Sequence, residues 1–172
     1  MKEAAREAGV SIVTGDIKVV QRGAADRLFI NTAGIGVVPA GVEIGAHRAA
    51  PGDVVIVNGH LGDHGAAILQ ARGELALSAA PAPTCQSRPA LIQGMATAAP
   101  EAHCLRDATR GGLATVLNEF AQSSGVGIRL DEGSLPVRAV VRGVCEILGL
   151  DALYLANEGK LVAIVPAVHA ER

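Results

Sequence analysis

The sequence predicts an α+β fold, and three observations carry that expectation. Strand-like and helix-like segments alternate along the chain, yet several connections are too short to force an all-parallel sheet. Apolar residues make up 49% of the 172 residues, enough for a sizeable core. Aromatic residues make up only 2% (Phe29, Phe120 and Tyr154) against 21 glycines. Bulk must therefore come from Val, Leu, Ile and Ala packed closely around tight turns, where a β-sandwich would carry more aromatics.

Lys2–Gly9 has helical composition and stops on a glycine. Ser11–Val13 and Lys18–Val20 are β-prone pieces around Thr14-Gly15-Asp16, and Leu28–Val38 reads as a further strand. Pro39–Gly52 has no sustained period and reads as a linker or crossover. Asp53–Asn58 is a continuous apolar run, which predicts a fully buried strand. A glycine-rich turn then feeds a helix over Ala66–Arg72, and the Ala/Pro-rich stretch Ala76–Thr84 reads as a loop. Pro89–Ala98 is a helix with proline in its first turn. A strand at His103–Arg106 precedes a helix over Gly112–Gln122, whose Leu113, Val116, Leu117 and Phe120 share one face. Val126–Leu130 reads as a strand, and Pro136 opens a helix through Leu148 with Val137, Val140, Val141, Val144, Ile147 and Leu148 on its apolar side. Leu161–Val165 is the last strand.

A net charge of −2, with no basic patch interleaved with aromatics, argues against a nucleic-acid partner. No apolar run reaches the length of a membrane span, and the first ten residues lack a signal-peptide core. Cys85, Cys104 and Cys145 are odd in number and form no CxxC pair, so they read as reduced thiols of a cytoplasmic protein. His47, His103 and His169 are isolated, without zinc spacing, and read as structural or exposed.

Four polar sites interrupt the apolar pattern. Arg106-Asp107-Ala108-Thr109-Arg110-Gly111-Gly112 lies between a strand and a helix; unpaired helix N–H groups, paired glycines and Arg110 suit a phosphate, while an ordinary capped turn uses the same residues. Asp16 and Lys18, two apart on a strand, would share a face and could bind Mg²⁺ and phosphate, or form a surface ion pair. Asp63 and His64 could do acid–base or phosphate-lining work, or cap a helix and bond locally. Asn157 and Glu158 sit in a polar break between the apolar runs Leu153–Leu155 and Leu161–Val165, a placement that suits function but also a plain turn.

In order and spacing, GDIKVV, LFINTAGIG, GDHGAAIL, RDATRGGLATVLNEFA and GVCEILGLDALYLANEGKLV resemble the HypE family of hydrogenase-maturation proteins, in the PurM-like superfamily, from about Ala4 to Val165. The resemblance implies a PurM-like C-terminal domain over 53–172, a mixed or antiparallel sheet covered by helices. A linker over 40–52 would precede it. Residues 1–39 would be the last helix and strands of an N-terminal AIR-synthase-like domain for ATP binding and dimerisation, strands that belong to a barrel shared across a homodimer. It further implies a cytoplasmic enzyme that receives a carbamoyl group from HypF on a C-terminal cysteine. ATP and Mg²⁺ drive its dehydration to a thiocyanate, and the cyanide passes to a HypC–HypD complex for [NiFe] hydrogenase. Lys18 and Glu158 would be catalytic, Glu158 as general base. Asp16, Lys18, Asp63, His64, Asp107, Thr109, Arg110, Gly111, Gly112 and Asn157 would bind ATP and phosphate, with Asp16 also at Mg²⁺.

Three departures from the family pattern stand out. Ile17 occupies the place of the threonine in GDTKVV, and PAPTCQSRP around Cys85 departs from the usual Ser-Asp-Cys. The N-terminal nucleotide segment and the terminal cysteine of the family lie outside these 172 residues, so the resemblance implies a chain incompetent by itself. The rival expectations are a non-catalytic folding or dimerisation fragment, and another PurM-like ATP-dependent synthase, such as a selenophosphate or aminoimidazole ribotide synthase.

Overall fold

The computed structural model describes residues 1–73 and 89–170 and divides into two compact units, Met1–Val42 and Glu43–Arg172. The loop expected at Ala76–Thr84 and the Cys85 region lie outside the described residues.

In the first unit, helix α1 (Lys2–Glu7) ends where Gly9 adopts a positive φ of 68°. The strands expected at Ser11–Val13, Lys18–Val20 and Leu28–Val38 are not formed: these segments join no ladder. The side chains of Ile17, Val19, Ile35 and Val37 are almost fully exposed. A strand is defined by its partner, and β-prone residues without one stay unladdered.

The second unit is built on an antiparallel sheet of β1 (Asp53–Val57), β2 (Cys104–Asp107) and β3 (Leu161–Pro166), in the order β1-β3-β2. The α+β expectation holds, and the sheet is antiparallel rather than mixed. The central strand is β3, the last in sequence, with four consecutive buried residues. The continuous apolar run of β1 forms an edge strand instead, half-buried except at the exposed Val54, because only one side of it is paired.

The register sorts side chains by face. Val55, Ile164 and Cys104 align, as do Val57, Val162 and Arg106. This face carries helix α4 (Gly112–Ser124), whose Leu113, Val116, Leu117 and Phe120 complete the main core. Its helical spacing is as predicted, and Gly125 at φ 66° closes it. On the opposite face Ile56, Ala163, Val165 and Leu105 pack against Met95 and Ala99 at the end of helix α3 (Pro89–Ala98). A third cluster joins helix α2 (Asp63–Ala71) to helix α5 (Ala139–Leu148) through Ala66, Val141, Val144 and Cys145.

Two further expectations are corrected. Val126–Leu130 forms no strand; Val126 and Ile128 pack against the core by their side chains, without ladder partners. Helix α5 starts three residues later than Pro136, because Leu61 N–H donates to Pro136 O (2.8 Å) and Val137 bridges Leu61 in parallel, which holds Pro136–Arg138 extended. Ile147, expected on the apolar side of α5, is 71% exposed, since the buried face runs through Val141, Val144 and Cys145.

Phe120 is the largest fully buried side chain among the described residues, so Phe120→Ala lowers stability by about 3–5 kcal/mol in urea denaturation. Desolvation pushes the thiols of Cys104 and Cys145 above their ordinary value of 9.0, at Cys104 against the opposing backbone N–H groups of Arg48 and Ala49. Above pH 9 the unfolded chain releases thiol protons that the folded chain keeps. The stability held by the buried thiols is therefore fully present below pH 9 and is lost as pH rises toward the raised folded values. The urea midpoint falls between pH 8.5 and 10, and falls less in a Cys104→Ala/Cys145→Ala variant.

Candidate functional site

The site is organised by a segment that the glycines around it admit. Ala152–Tyr154 form a short 3-10 turn, and the chain runs on through Leu155, Ala156 and Asn157 between the starts of α2 and α4. Gly112 has φ +61°, and a Cβ there would overlap the Leu153 carbonyl and come within 2.7 Å of Leu155 O. At Gly62, φ +79°, a Cβ would meet Val141 Cγ1 at 2.7 Å and Leu155 Cδ1 at 3.0 Å, and at Gly65 it would meet Leu155 Cβ at 3.1 Å. Gly112, expected to admit an anion, thus first admits the backbone of the chain itself.

Asn157 closes the arrangement. Its side chain is 2% exposed. Oδ1 accepts the Gly62 N–H (2.8 Å), while Nδ2 donates to Leu155 O (2.9 Å) and to Ala108 O (3.3 Å). Its backbone N–H also donates to Ala108 O (3.2 Å), Gly65 N–H donates to Ala156 O (3.1 Å), and Ala108 N–H to Lys160 O (3.3 Å). Three of the four predicted motifs therefore meet: the Gly62–Gly65 turn, the Asp107–Gly112 turn and the Asn157–Glu158 break. The fourth, Asp16 and Lys18, lies exposed on the first unit, where the Asp16 carboxylate accepts the Ile17 N–H (2.8 Å).

Around this junction the polar side chains differ in exposure. Asp107 and Arg110 are exposed, and the Asp107 carboxylate accepts the Thr109 hydroxyl at 2.5 Å. Arg106 pairs with Glu119 of α4. Glu158 and His64 are half-buried. Asp63 makes no cap hydrogen bond to α2; it is 2% exposed, with Oδ2 3.2 Å from Arg138 Nε. Asp63 Oδ1 and His64 Nδ1 are buried without a hydrogen-bond partner among the described residues.

Two residues escaped the sequence reading. Lys160 is 6% exposed, and its stem lies over Gly59, where a Cβ would stand 3.5 Å from Lys160 Cε. Its signal was available, a lysine directly before the apolar run of β3. Arg138 had none, because its partner Asp63 is distant in sequence and the two meet only in the fold, where Leu61 bridges Val137.

An open groove of about 360 Å³ beside β1 and Val126–Asp131, and another of about 500 Å³ between α3 and the sheet, are lined by none of the predicted site residues. Among the described residues no group of three or more His, Cys, Asp or Glu could hold a metal ion, and no helix is long and apolar enough to cross a membrane.

Comparison with known proteins gives a consistent result. Residues 50–172 match the family model for AIR synthase related protein, C-terminal domain. The carbamoyl dehydratase HypE of Escherichia coli (strain K12) is 55% identical over 172 residues, which is all of this chain and 51% of that protein. A structure of the hydrogenase maturation protein HypE in complex with ATP superposes with a TM-score of 0.92 at 48% identity, over 98% of this chain and 50% of the other. The HypE chain of a HypE–HypF complex gives 0.94 at 47% identity, over 99% and 56%. The chain spans about half the length of the curated relatives it matches.

Asn157→Ala strands the Gly62 N–H and removes a donor from Ala108 O, and stability falls by about 1–3 kcal/mol. Hydrogen exchange reads the loss as faster exchange of the Gly62 and Gly65 amides. Gly112→Ala, strained in φ and overlapping backbone oxygens, lowers stability by about 2–4 kcal/mol.

Proposed function

Because the chain belongs to the AIR synthase related family through the C-terminal domain of that family, we propose that it serves a HypE-like carbamoyl dehydratase. The reaction is the ATP-dependent dehydration of a C-terminal cysteine thiocarboxamide to a thiocyanate, for the cyanide ligands of [NiFe] hydrogenase. The observation that carries this proposal is the convergence of the Gly62–Gly65, Asp107–Gly112 and Asn157–Glu158 turns on one buried asparagine, in a chain that strongly resembles proteins named carbamoyl dehydratase.

The chemistry requires that an amide oxygen, a poor leaving group, become a good one. Transfer of the γ-phosphoryl group of ATP to that oxygen, with loss of one N–H proton, gives a phosphorylated imidate and ADP. Loss of the second N–H proton then expels phosphate and leaves the C≡N bond. The start of α4, with Gly111, Gly112, Thr109 and the exposed Arg110, offers N–H groups, partial positive charge and a guanidinium for phosphate. Glu158, half-buried beside Asn157, is the general base, and the family resemblance makes Lys18 the second catalytic residue. Asp63, His64 and Asp107 complete the polar lining. Were Mg²⁺ to accompany ATP, Asp16 would offer it one carboxylate and the ion would neutralise phosphate charge.

The HypE–HypF complex supports HypF as the carbamoyl donor for this chain, with a HypC–HypD complex as the cyanide acceptor. The exposed, unladdered Ile17, Val19, Ile35 and Val37 of the first unit support pairing with a second copy, which divides the assembly into a homodimer with residues 1–39 at its joint, a linker at 40–52 and the catalytic domain from 53.

Calorimetry with Mg-ATP tests the nucleotide claim, with micromolar affinity expected. In a protein spanning the full length of the relatives, Glu158→Gln leaves that affinity intact and slows thiocyanate formation, read by mass spectrometry as loss of one water, by roughly 10²–10⁴-fold. An unchanged rate removes Glu158 from the role of base.

A further inference from the structure

The mechanism above leaves Arg138 unused, yet it is held in an unusual way. Arg138 precedes α5 in extended conformation (φ −69°, ψ 149°). The Leu61–Val137 bridge sets the starts of α2 and α5 side by side, so two helix N-termini meet there. Its Nε lies 3.2 Å from Oδ2 of Asp63, a carboxylate that is 2% exposed and whose Oδ1 has no hydrogen-bond partner among the described residues. The Arg138 side chain itself is 51% exposed. Nε is the nitrogen that pairs with Asp63, and the side chain makes no other ion pair or hydrogen bond among the described residues. The outer edge of a guanidinium with its inner nitrogen fixed is a planar fork of donors turned to solvent, the geometry that takes a carboxylate bidentately.

The fork is linked to the junction through its partner Asp63. Gly62, the neighbour of Asp63, donates its N–H to Asn157, and Asn157 adjoins Glu158. The thiocarboxamide substrate proposed above is a cysteine at a chain terminus, so a free α-carboxylate is tied covalently to the reacting side chain. Gripping that carboxylate would fix where the amide lies. The Asp63–Arg138 pair is formally neutral, and the outer edge of its guanidinium suits a planar monoanion such as an α-carboxylate.

Resting on the thiocarboxamide chemistry proposed above, we propose that Arg138, positioned by Asp63, is the receptor for the α-carboxylate of the substrate's C-terminal cysteine. It selects a chain end over an internal or amidated cysteine.

The test uses two fluorescent peptides that end in S-carboxamidomethyl-cysteine, a stable analogue of the thiocarboxamide, one with a free C-terminal carboxylate and one with a C-terminal amide. Anisotropy titration gives the affinity ratio. The wild-type chain binds the acid roughly tenfold more tightly than the amide, and the preference shrinks with added salt. Arg138→Gln abolishes the preference while Mg-ATP affinity is unchanged. Arg138→Lys keeps a cation against Asp63, and so the fold, but loses the fork and most of the preference. Asp63→Asn, tested as the positioning residue, weakens the preference without removing it, an effect that a general loss of packing would not direct at one of two peptides. Equal acid-to-amide ratios in wild type and in a folded Arg138→Lys variant overturn the assignment and leave the dehydratase function standing. A loss of Mg-ATP affinity in the Arg138 variants instead makes the anion a phosphate and also overturns it. Binding of neither peptide nor Mg-ATP by a protein spanning the full length of the relatives removes the proposed function, and this assignment with it.

Discussion

The second unit depends on one buried asparagine and the glycines that let it sit where it does. Asn157 ties the turn before α2 to the turn before α4, with four hydrogen bonds that have no competing water. Those bonds exist because Leu153–Asn157 can slide between the two helix starts. That passage is open only where Gly62, Gly65 and Gly112 lack a Cβ. Positive φ and missing side-chain volume act together here: the same residues that turn the chain sharply also make the slot through which another part of it passes.

The sheet gives that junction its fixed position. With β3 in the centre, its first residue Leu161 is anchored by Asn58 Oδ1 (2.8 Å), and Asn58 Nδ2 reaches back to Gly159 O (3.2 Å). The polar break is thereby stapled to both the strand it enters and the strand beside it. The α4 core then fixes the Asp107–Gly112 turn from the other side. Polar groups that would be costly to bury singly are buried as a connected set, which restricts the loops to one arrangement.

Charge is distributed on the same frame. Exposed Asp107 and Arg110 lie at the start of α4, while Asp63 is sunk at the start of α2 and balanced by a half-exposed arginine from α5. A carboxylate at the first position of a helix is favoured by the local dipole. The α2 start thus carries its own anion, paired with Arg138, while the first turn of α4 holds no acidic residue.

Periodicity and punctuation in the sequence determined the helices and their faces: Pro89–Ala98, the apolar stripe of α4, and β3 within one residue. They also marked the polar interruptions that meet at the junction, because charged and amide residues between apolar runs stand out in one dimension. Strand status and burial were another matter. Asp53–Val57 and Val126–Leu130 are equally β-prone, yet one became an edge strand and the other no strand at all; pairing is decided by neighbours in space, to which local composition is blind. The Asp63–Arg138 pair and the passage of Leu155 past Gly62 join residues far apart in the chain. The sequence by itself fixed which residues could carry chemistry. Only the tertiary structure decided which of them share a junction, because hydrogen bonds and close packing act over a few ångströms of space and not along the chain.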